Sequence, residues 1–257
     1  MDLTSRQQEI KDRFMAERGE WSDAWEAVLQ IDPDFVSASL DMLQVPYTKN
    51  HLSAKFKELC YLSWNAAATH GNLNGARTHM RRALALGATP HEIVEVLQLA
   101  STLGIHTMNI GVPLLVEVLE ERGRTGPAPL TAAQEELKRQ FTETRGYWHD
   151  FWNEMLELDP EMFAAYTEFS SVPWRTGVLT PAEKELIYIS YDIAATHLYV
   201  PGTKLHIRNA LNHGATVEQV IEVMEISSVL GLDAMASGIP ILLEELRAAG
   251  RPLDADA

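Results

Sequence analysis

The sequence predicts an all-α protein built from two tandem helical repeats packed on each other as a pseudo-dimer. Three observations point there. The chain is written twice: Arg18-Gly19-x-Trp21-x-Asp23-x-Trp25 returns as Arg145-Gly146-x-Trp148-x-Asp150-x-Trp152, Asp32-Pro33 as Asp159-Pro160, and Val45-Pro46 as Val172-Pro173. The copies align without a gap at a spacing of about 127 residues, with about two-fifths of positions identical. Helix start and stop signals recur at the same spacing, and no run alternates apolar and polar residues for long enough to build a sheet.

The elements follow in order. Leu3-Thr4 and Leu130-Thr131 open polar helices, with Thr4 and Thr131 as N-caps. The Arg-Gly-x-Trp element begins a second helix that ends near Asp32-Pro33 and Asp159-Pro160, followed by a short helix to about Leu43. Trp21 with Trp25, and Trp148 with Trp152, are four residues apart and share a helix face, a pattern that suits packing between helices. Leu52-Ser53 and Leu179-Thr180-Pro181 open a long helix running to about His70, with proline tolerated in its first turn. Gly71 to Gly75 leads into a helix that carries His79 and ends at the C-cap glycine Gly87. Thr89-Pro90-His91-Glu92 is a capping box that Thr216-Val217-Glu218-Gln219 repeats. Gly104 and Gly231 interrupt the next apolar stretch, and a last helix follows Pro113 and Pro240. The domains are residues 1–122 and 130–250, the linker is 123–129, and a frayed tail follows Gly250.

Composition narrows the function classes. The 257 residues carry a net charge of −15, which repels phosphate backbones and anionic lipid surfaces, so neither nucleic acid nor membrane is expected as a partner. An anionic substrate must then meet local arginine or histidine. Cys60 is the single cysteine, and its counterpart is Ile187; this excludes a disulfide framework and a CxxC redox pair and suits a reducing cytoplasm. The first residues lack a basic segment followed by an apolar one, so no signal peptide is expected. The apolar run from Ile93 to Leu119 is broken by Glu95, Gln98, His106 and Asn109 and reads as a core helix pair.

Shared periodicity alone would align apolar positions, but not Glu, His, Arg and Trp at fixed spacing. Stepping by three and four from Glu58 places Tyr61, Asn65 and Thr69 on roughly one stripe, repeated as Glu185, Tyr188, Asp192 and Thr196. The stripe lines a small polar pocket, or is a solvated face or a hydrogen-bond network between halves. His79 and His206 sit early in the next helix, two residues before Arg81 and Arg208, and suit proton transfer near neutral pH. His70 and His197 are second catalytic groups, or C-terminal residues favoured by the helix dipole. Glu58, His70, His79 and His106 have the chemistry of metal ligands, yet no HxxxH or HxH pair fixes two on one face and His106 becomes Asp233 in the second copy, so no metal is expected. No nucleophile elbow or phosphate-binding glycine loop is present.

The string Lys-Glu-Leu, an Ala-rich helix, and then His-x-Arg-x-Ala-Leu-x-x-Gly-Ala-Thr resembles the carboxymuconolactone decarboxylase family of the alkylhydroperoxidase D-like superfamily. The match runs from about Leu52 to Leu119 and from Leu179 to Leu246, with His79-x-Arg81 and Gly87-Ala88-Thr89 its most specific part. The resemblance implies alkylhydroperoxidase D-like helical repeats. The peroxidase branch carries CxxC before the histidine; here Asn72 and Gly75, and Tyr199 and Gly202, stand in those places, which excludes thiol-dependent peroxide reduction. The decarboxylase branch implies cofactor-free chemistry, with Glu58 and His79, and Glu185 and His206, as the matched residues. A lactone acid losing carbon dioxide leaves a dienolate that needs positive charge and then a proton. His79 is the expected donor, Arg81 the carboxylate or enolate site, and Glu58 the group that orients the histidine. The family's aromatic-x-Gly-x-Pro signature is altered here, with Gly111 to Pro113 the nearest Gly-x-Pro, so the pocket wall differs.

The expected function is therefore a cofactor-independent decarboxylase or isomerase of a small carboxylated lactone or enolisable ring compound. Catalytic candidates are His79, His206, Glu58 and Glu185, and substrate-binding candidates are Arg81, Arg208, His70, His197, Tyr61, Tyr188, Asn65 and Asp192. The alternatives are a non-catalytic binding or scaffold protein, and a metal-dependent enzyme using the histidines. A homo-oligomer, trimer or dimer, is expected. Trp64, Asn65 and Asn72 become Tyr191, Asp192 and Tyr199, so one copy is expected to do the chemistry while the other is structural or differently tuned.

Overall fold

Capping chemistry sets the helix boundaries in both halves. The computed structural model describes residues 3–253, so the tail expected after Gly250 lies, from residue 254 on, outside the described residues. In the first half come α1 (Ser5–Arg18), α2 (Asp23–Ile31), α3 (Pro33–Lys49), α4 (Ala54–Ala66), α5 (Leu73–Ala85), α6 (Pro90–Ser101) and α7 (His106–Glu121). They return as α8 (Ala132–Arg145), α9 (Phe151–Leu158), α10 (Pro160–Thr176), α11 (Pro181–Asp192), α12 (Val200–Asn212), α13 (Val217–Ser228) and α14 (Asp233–Ala248). No strand occurs among the described residues. Thr4, Thr89, Thr131, Thr180 and Thr216 each close a reciprocal capping box with a Gln or Glu three residues on. The protein is thus all-α, with two tandem repeats.

Four boundaries depart from expectation, each for a local reason. Gly19 ends α1 in the left-handed region (φ 74°) and Ser22 caps α2, so Trp21 lies in the bend between helices. Trp21 and Trp25 therefore do not share a helix face; both indoles close on Phe14, each with ring centroids 5.1 Å away. Trp148 and Trp152 do the same around Phe141. The helix expected to stop near Leu43 continues through Pro46 to Lys49, and this extension carries Tyr47 to Glu58. The helix expected to reach His70 ends at Ala66, where the Asn65 amide turns back to donate to the Tyr61 carbonyl. Thr69 and Thr196 consequently lie outside their helices and are exposed. The last helix of each half starts before its proline, after a 3₁₀ turn (Thr102–Ile105 and Val229–Leu232) containing Gly104 or Gly231.

The core forms around α4 and α11. Every residue from Phe56 to Asn65 and from Lys184 to Asp192 is buried, so both helices are enclosed on all sides. Leu59, Cys60 and Leu62 meet Ile187, Ile189, Val96, Leu99, Val223 and Ile226 in one continuous cluster spanning both halves. Ser190 Oγ donates across the junction to the Cys60 carbonyl at 3.0 Å. Two satellite clusters exchange elements: Met235 and Ile239 of α14 pack with Phe14, Val28 and Leu40 of the first half, while Ile105 and Met108 pack with Phe141, Trp152 and Phe163 of the second.

Charge inside this core is paired across the halves. Lys57 Nζ lies 2.7 Å from Glu222, and Lys184 Nζ lies 3.2 Å from Glu95, all four fully buried. Glu222 also accepts the backbone N–H groups of His51 and Leu52, just before α4, and Glu95 accepts that of Leu179, just before α11. Each glutamate thus neutralises the opposite lysine and holds the entrance of the opposite central helix. Residues 90–121 and 217–248 are long and apolar enough to cross a membrane by composition, yet each is interrupted by its 3₁₀ turn, and α6 and α13 contribute Val96, Leu99, Val223 and Ile226 to the core.

Removing one partner leaves the other as an uncompensated buried charge, so Lys57→Met should lower unfolding free energy in urea by about 3–5 kcal/mol. The double variant Lys57→Met, Glu222→Leu should recover a large part of that loss. Single and double variants of equal stability would show that the pair is not coupled.

Candidate functional site

α4 and α5 are antiparallel neighbours, and Gly75 in the first turn of α5 lets them approach. A Cβ there would lie 1.9 Å from Asn65 Oδ1 and 2.8 Å from Asn72 Nδ2. With the backbones this close, His79 of α5 faces Glu58 of α4. The ring Nδ1–H donates to Glu58 Oε2 at 2.6 Å, and the Tyr47 hydroxyl donates to Glu58 Oε1 at 2.6 Å. The Tyr61 ring stacks on the imidazole, 4.3 Å between centroids and nearly parallel. The carboxylate fixes the tautomer in which Nε2 is the free acceptor.

The electrostatics follow from this geometry. Burial alone pushes the Glu58 carboxyl up, but the bonds from His79 and Tyr47 outweigh it and hold Glu58 below the ordinary carboxylate range. Burial pushes His79 below its ordinary value, while the hydrogen bond to Glu58 works to keep the proton on. The resting pair is a carboxylate with a neutral imidazole.

His79 opens onto a cavity of about 570 Å³. Its walls come from both halves: Arg18, Trp21, Trp25, Asn72, His79 and Arg82 from the first, and Asp233, Ser237, Pro240 and Arg247 from α14 of the second. The tryptophan-bearing N-terminal segment, expected only to pack between helices, forms one wall. Arg18 sits over the Tyr47 ring at 4.7 Å, and Arg82 donates to the Arg18 carbonyl at 2.9 Å. Three arginines, Arg18, Arg82 and Arg247, thus border the cavity together with four acidic residues, Glu20, Asp23, Asp233 and Glu244.

The second half repeats the pair but not the space. His206 Nδ1–H donates to Glu185 Oε2 at 2.5 Å, Asn209 donates to Glu185 Oε1 at 3.3 Å, and Tyr188 stacks on His206 at 4.4 Å. The cavity beside His206 is only about 20 Å³, room for one water-sized particle. Aromatic rings fill the rest: Tyr147, Phe151, Tyr166 and Tyr199 line it where the first half has Glu20, Ala24, Ser39 and Asn72. Arg145, the counterpart of Arg18, is buried between Tyr147, Trp174 and Tyr188. Burial, followed by the charge of Glu185, pushes the Asp192 carboxyl well up; burial, with His197 and His206 nearby, pushes His106 down to about 3.

The structure separates the candidate residues. It brings together Glu58, Tyr61 and His79, and likewise Glu185, Tyr188 and His206. Asn65 is buried against its own helix. Arg81 and Arg208 are exposed and absent from the cavity walls, and Arg81 pairs with Glu20. Adjacent residues on a helix point about 100° apart, so it is Arg82 that reaches the cavity. His70 binds Asp233 at 2.7 Å and lines an adjoining cavity that shares Asn72 and Asp233 with the first. His197 meets His106 from the first half, 2.6 Å between ring nitrogens. Arg18, Tyr47, Arg82, Asp233 and Arg247 were not among the candidates. Arg18 had a signal in the repeated Arg-Gly motif; Arg82 and Arg247 had none, because their counterparts are Asn209 and Glu120.

Tandem alkylhydroperoxidase D-like helical repeats, each with a Glu–His pair bridging its central helix and the next, define the class. The carboxymuconolactone decarboxylase family model matches residues 33–106 and 160–244, more than half of the chain, and the protein belongs to that family. It is also similar to a protein of Burkholderia xenovorans LB400, known from a crystal structure and provisionally described as a gamma-carboxymuconolactone decarboxylase subunit. The two share 48% sequence identity with a TM-score of 0.91, over 95% of this chain and 98% of that one. No curated protein matches the chain.

Gly75→Ala should destabilise the chain by about 1–3 kcal/mol in urea unfolding, because Asn65 and Asn72 are both tied down where the methyl must go. Unchanged stability would mean that the two amides move aside freely. In an NMR titration the His79 ring should have its midpoint below the ordinary histidine value of about 6.5. Glu58→Gln should move that midpoint further down, since the carboxylate favours the protonated ring. A wild-type midpoint above the ordinary value, or an upward move in the variant, contradicts the electrostatics of the pair.

Proposed function

We propose that the first-half cavity is the active site of a cofactor-independent decarboxylase or isomerase for a small carboxylated lactone or enolisable ring compound. The supporting observation is that His79, positioned by Glu58, faces about 570 Å³ whose walls hold three arginines among acidic residues, whereas His206 faces about 20 Å³. Membership of the carboxymuconolactone decarboxylase family supports lyase-like chemistry at that level. The filled second cavity supports assigning turnover to the first half.

The chemistry follows from the proposed placement. A retained carboxylate or a developing enolate oxygen meets Arg18, Arg82 or Arg247 in a cavity partly shielded from water, where such pairing is strong. The incoming negative charge favours the imidazolium form of His79, which takes its proton from solvent, and Glu58 stabilises that cation. The bond to the departing carboxylate breaks, its electron pair passes into the conjugated lactone as a dienolate, and carbon dioxide leaves. His79 Nε2–H delivers its proton to carbon and returns to neutral imidazole. In the isomerase variant the same nitrogen removes a proton from one carbon and returns it to another. His79 acts on the substrate; Glu58 acts through His79.

Buried Cys60 as the single cysteine fits a reducing, cytoplasmic setting. Exposed Ile110, Leu114, Leu115 and Val118 on α7, with Ile241 and Leu242 on α14, support self-association.

The test is turnover of a panel of small lactone and keto acids by chelator-treated protein, read as carbon dioxide release and ultraviolet change. His79→Ala should reduce kcat/KM by about 10²–10⁴-fold, the usual worth of a general acid or base, with His206→Ala within a few-fold of wild type. Arg82→Ala should raise KM while Arg81→Ala leaves it unchanged. Equal losses from the two histidine variants would remove the assignment to the first half. Loss from neither would remove the histidine chemistry.

A further inference from the structure

At the end of α11 the Asp192 carboxylate is completely buried, and neither oxygen has a hydrogen-bond partner. Imidazole nitrogens surround it. His106 Nε2 and His197 Nε2 each lie 3.9 Å from Oδ1, and His206 Nε2 lies 3.9 Å from Oδ2. A buried carboxylate with no donor is strongly disfavoured unless a cation or a proton accompanies it.

The equivalent place in the first half shows what has changed. There Asp233 is satisfied by His70 Nε2 at 2.7 Å and Asn72 Nδ2 at 2.6 Å, and the residue matching Asp192 is the neutral Asn65. Across the pseudo-twofold, Asn65 gives way to Asp192, Asp233 to His106, and Asn72 to Tyr199, while His70 and His197 match. A closed hydrogen-bond network has been exchanged for a carboxylate with no donor beside two histidines bonded to each other, His106 Nδ1 and His197 Nε2 at 2.6 Å, a bond that a metal ion would replace.

We infer that the second half binds one divalent first-row transition-metal ion, ligated by His106, Asp192 and His197, with His206 completing the set. Two imidazoles and a carboxylate suit zinc, cobalt, iron or manganese rather than magnesium or calcium, which take oxygen ligands. One ligand atom from each of His106, Asp192 and His197 lies within 4.8 Å of the others. A tetrahedral centre with ligands at about 2.0–2.1 Å needs separations of about 3.3 Å, so the histidine–Asp192 pairs must close from 3.9 Å and the His106–His197 contact must open from 2.6 Å. The residual space of about 20 Å³ beside His106 and His206 admits no organic substrate. Outer contacts aim the rings: Glu185 holds His206 through Nδ1, leaving Nε2 toward Asp192, and the Tyr199 ring stacks on His106 at 3.7 Å. Because His106 belongs to the first half and the other ligands to the second, the ion joins the repeats.

The site is independent of the catalytic reading and is tested without substrate. Untagged protein, stripped with chelator, is titrated with Zn²⁺ by calorimetry and with Co²⁺ by visible absorption. One equivalent of each per chain, strong tetrahedral Co²⁺ bands and a raised melting temperature are expected. Asp192→Asn and His106→Asp install the residues found at the equivalent places beside His70, Asn65 and Asp233, and each should weaken binding by at least about 100-fold. Helical circular dichroism and cooperative melting of the apo variants separate loss of ligand from loss of fold, and His197→Gln is a third variant should either misfold. His79→Ala should bind as wild type does. Binding far below one equivalent overturns the proposal, as does stoichiometric binding that survives the ligand variants and so resides elsewhere among the nine histidines.

Discussion

The paired lysine–glutamate bridges between the halves are the constraint on which the rest of the structure depends. Phe56 to Asn65 of α4 and Lys184 to Asp192 of α11 are all buried, so contacts inside the molecule fix the rotation of these helices and their depth along the axis. Glu222 and Glu95 do so by holding both a lysine on the opposite central helix and the backbone at its entrance. Glu58 follows Lys57 directly, and Glu185 follows Lys184. Any rotation that frees the lysine also swings the glutamate away from its histidine. The proton-transfer pair is thus positioned by an interaction with the other half of the molecule, at the neighbouring residue.

The halves keep this frame and diverge in what surrounds it. In the first, Glu20, Ala24 and Asn72 line the space that reaches His79, and Ser39 stands where the second half has Tyr166. In the second, larger rings occupy those positions, and the arginine that would face a ligand is sandwiched among aromatics. Filling a polar cavity with packed rings adds dispersion contacts and removes the need to hydrate buried groups, which favours stability over access. One half is built for access and the other for packing.

Much of this was legible in the residues, because duplication marks what both halves need. The Glu58–His79 pair, the capping threonines and the all-helical class could be read from repeated polar positions and start signals. The same comparison hid what distinguishes the halves. Arg82 and Arg247 align with Asn209 and Glu120, so repetition does not mark them, whereas it does mark Arg81, which the helix turns outward. Lys57 and Lys184 were visible as repeated residues, but their partners lie about 165 and 89 positions away in sequence, where local spacing carries no information. The ends of the central helices were not legible either: α4 stops at Ala66 and α11 at Asp192, short of the repeated Ala-Ala-Thr that helix propensity alone would include.

The exchange of last helices has a consequence for how such a chain can change. Were the two repeats identical separate subunits, every substitution would fall in both sites at once, and a residue that improved one cavity would be forced on the other. Joined in one chain, α14 serves only the cavity of His79 and α7 only that of His206. Asp233 and His106 are free to differ, and they do. Linkage also makes docking of the halves intramolecular, so a low protein concentration does not disassemble either site. A symmetric interface has become two private walls, each open to separate selection.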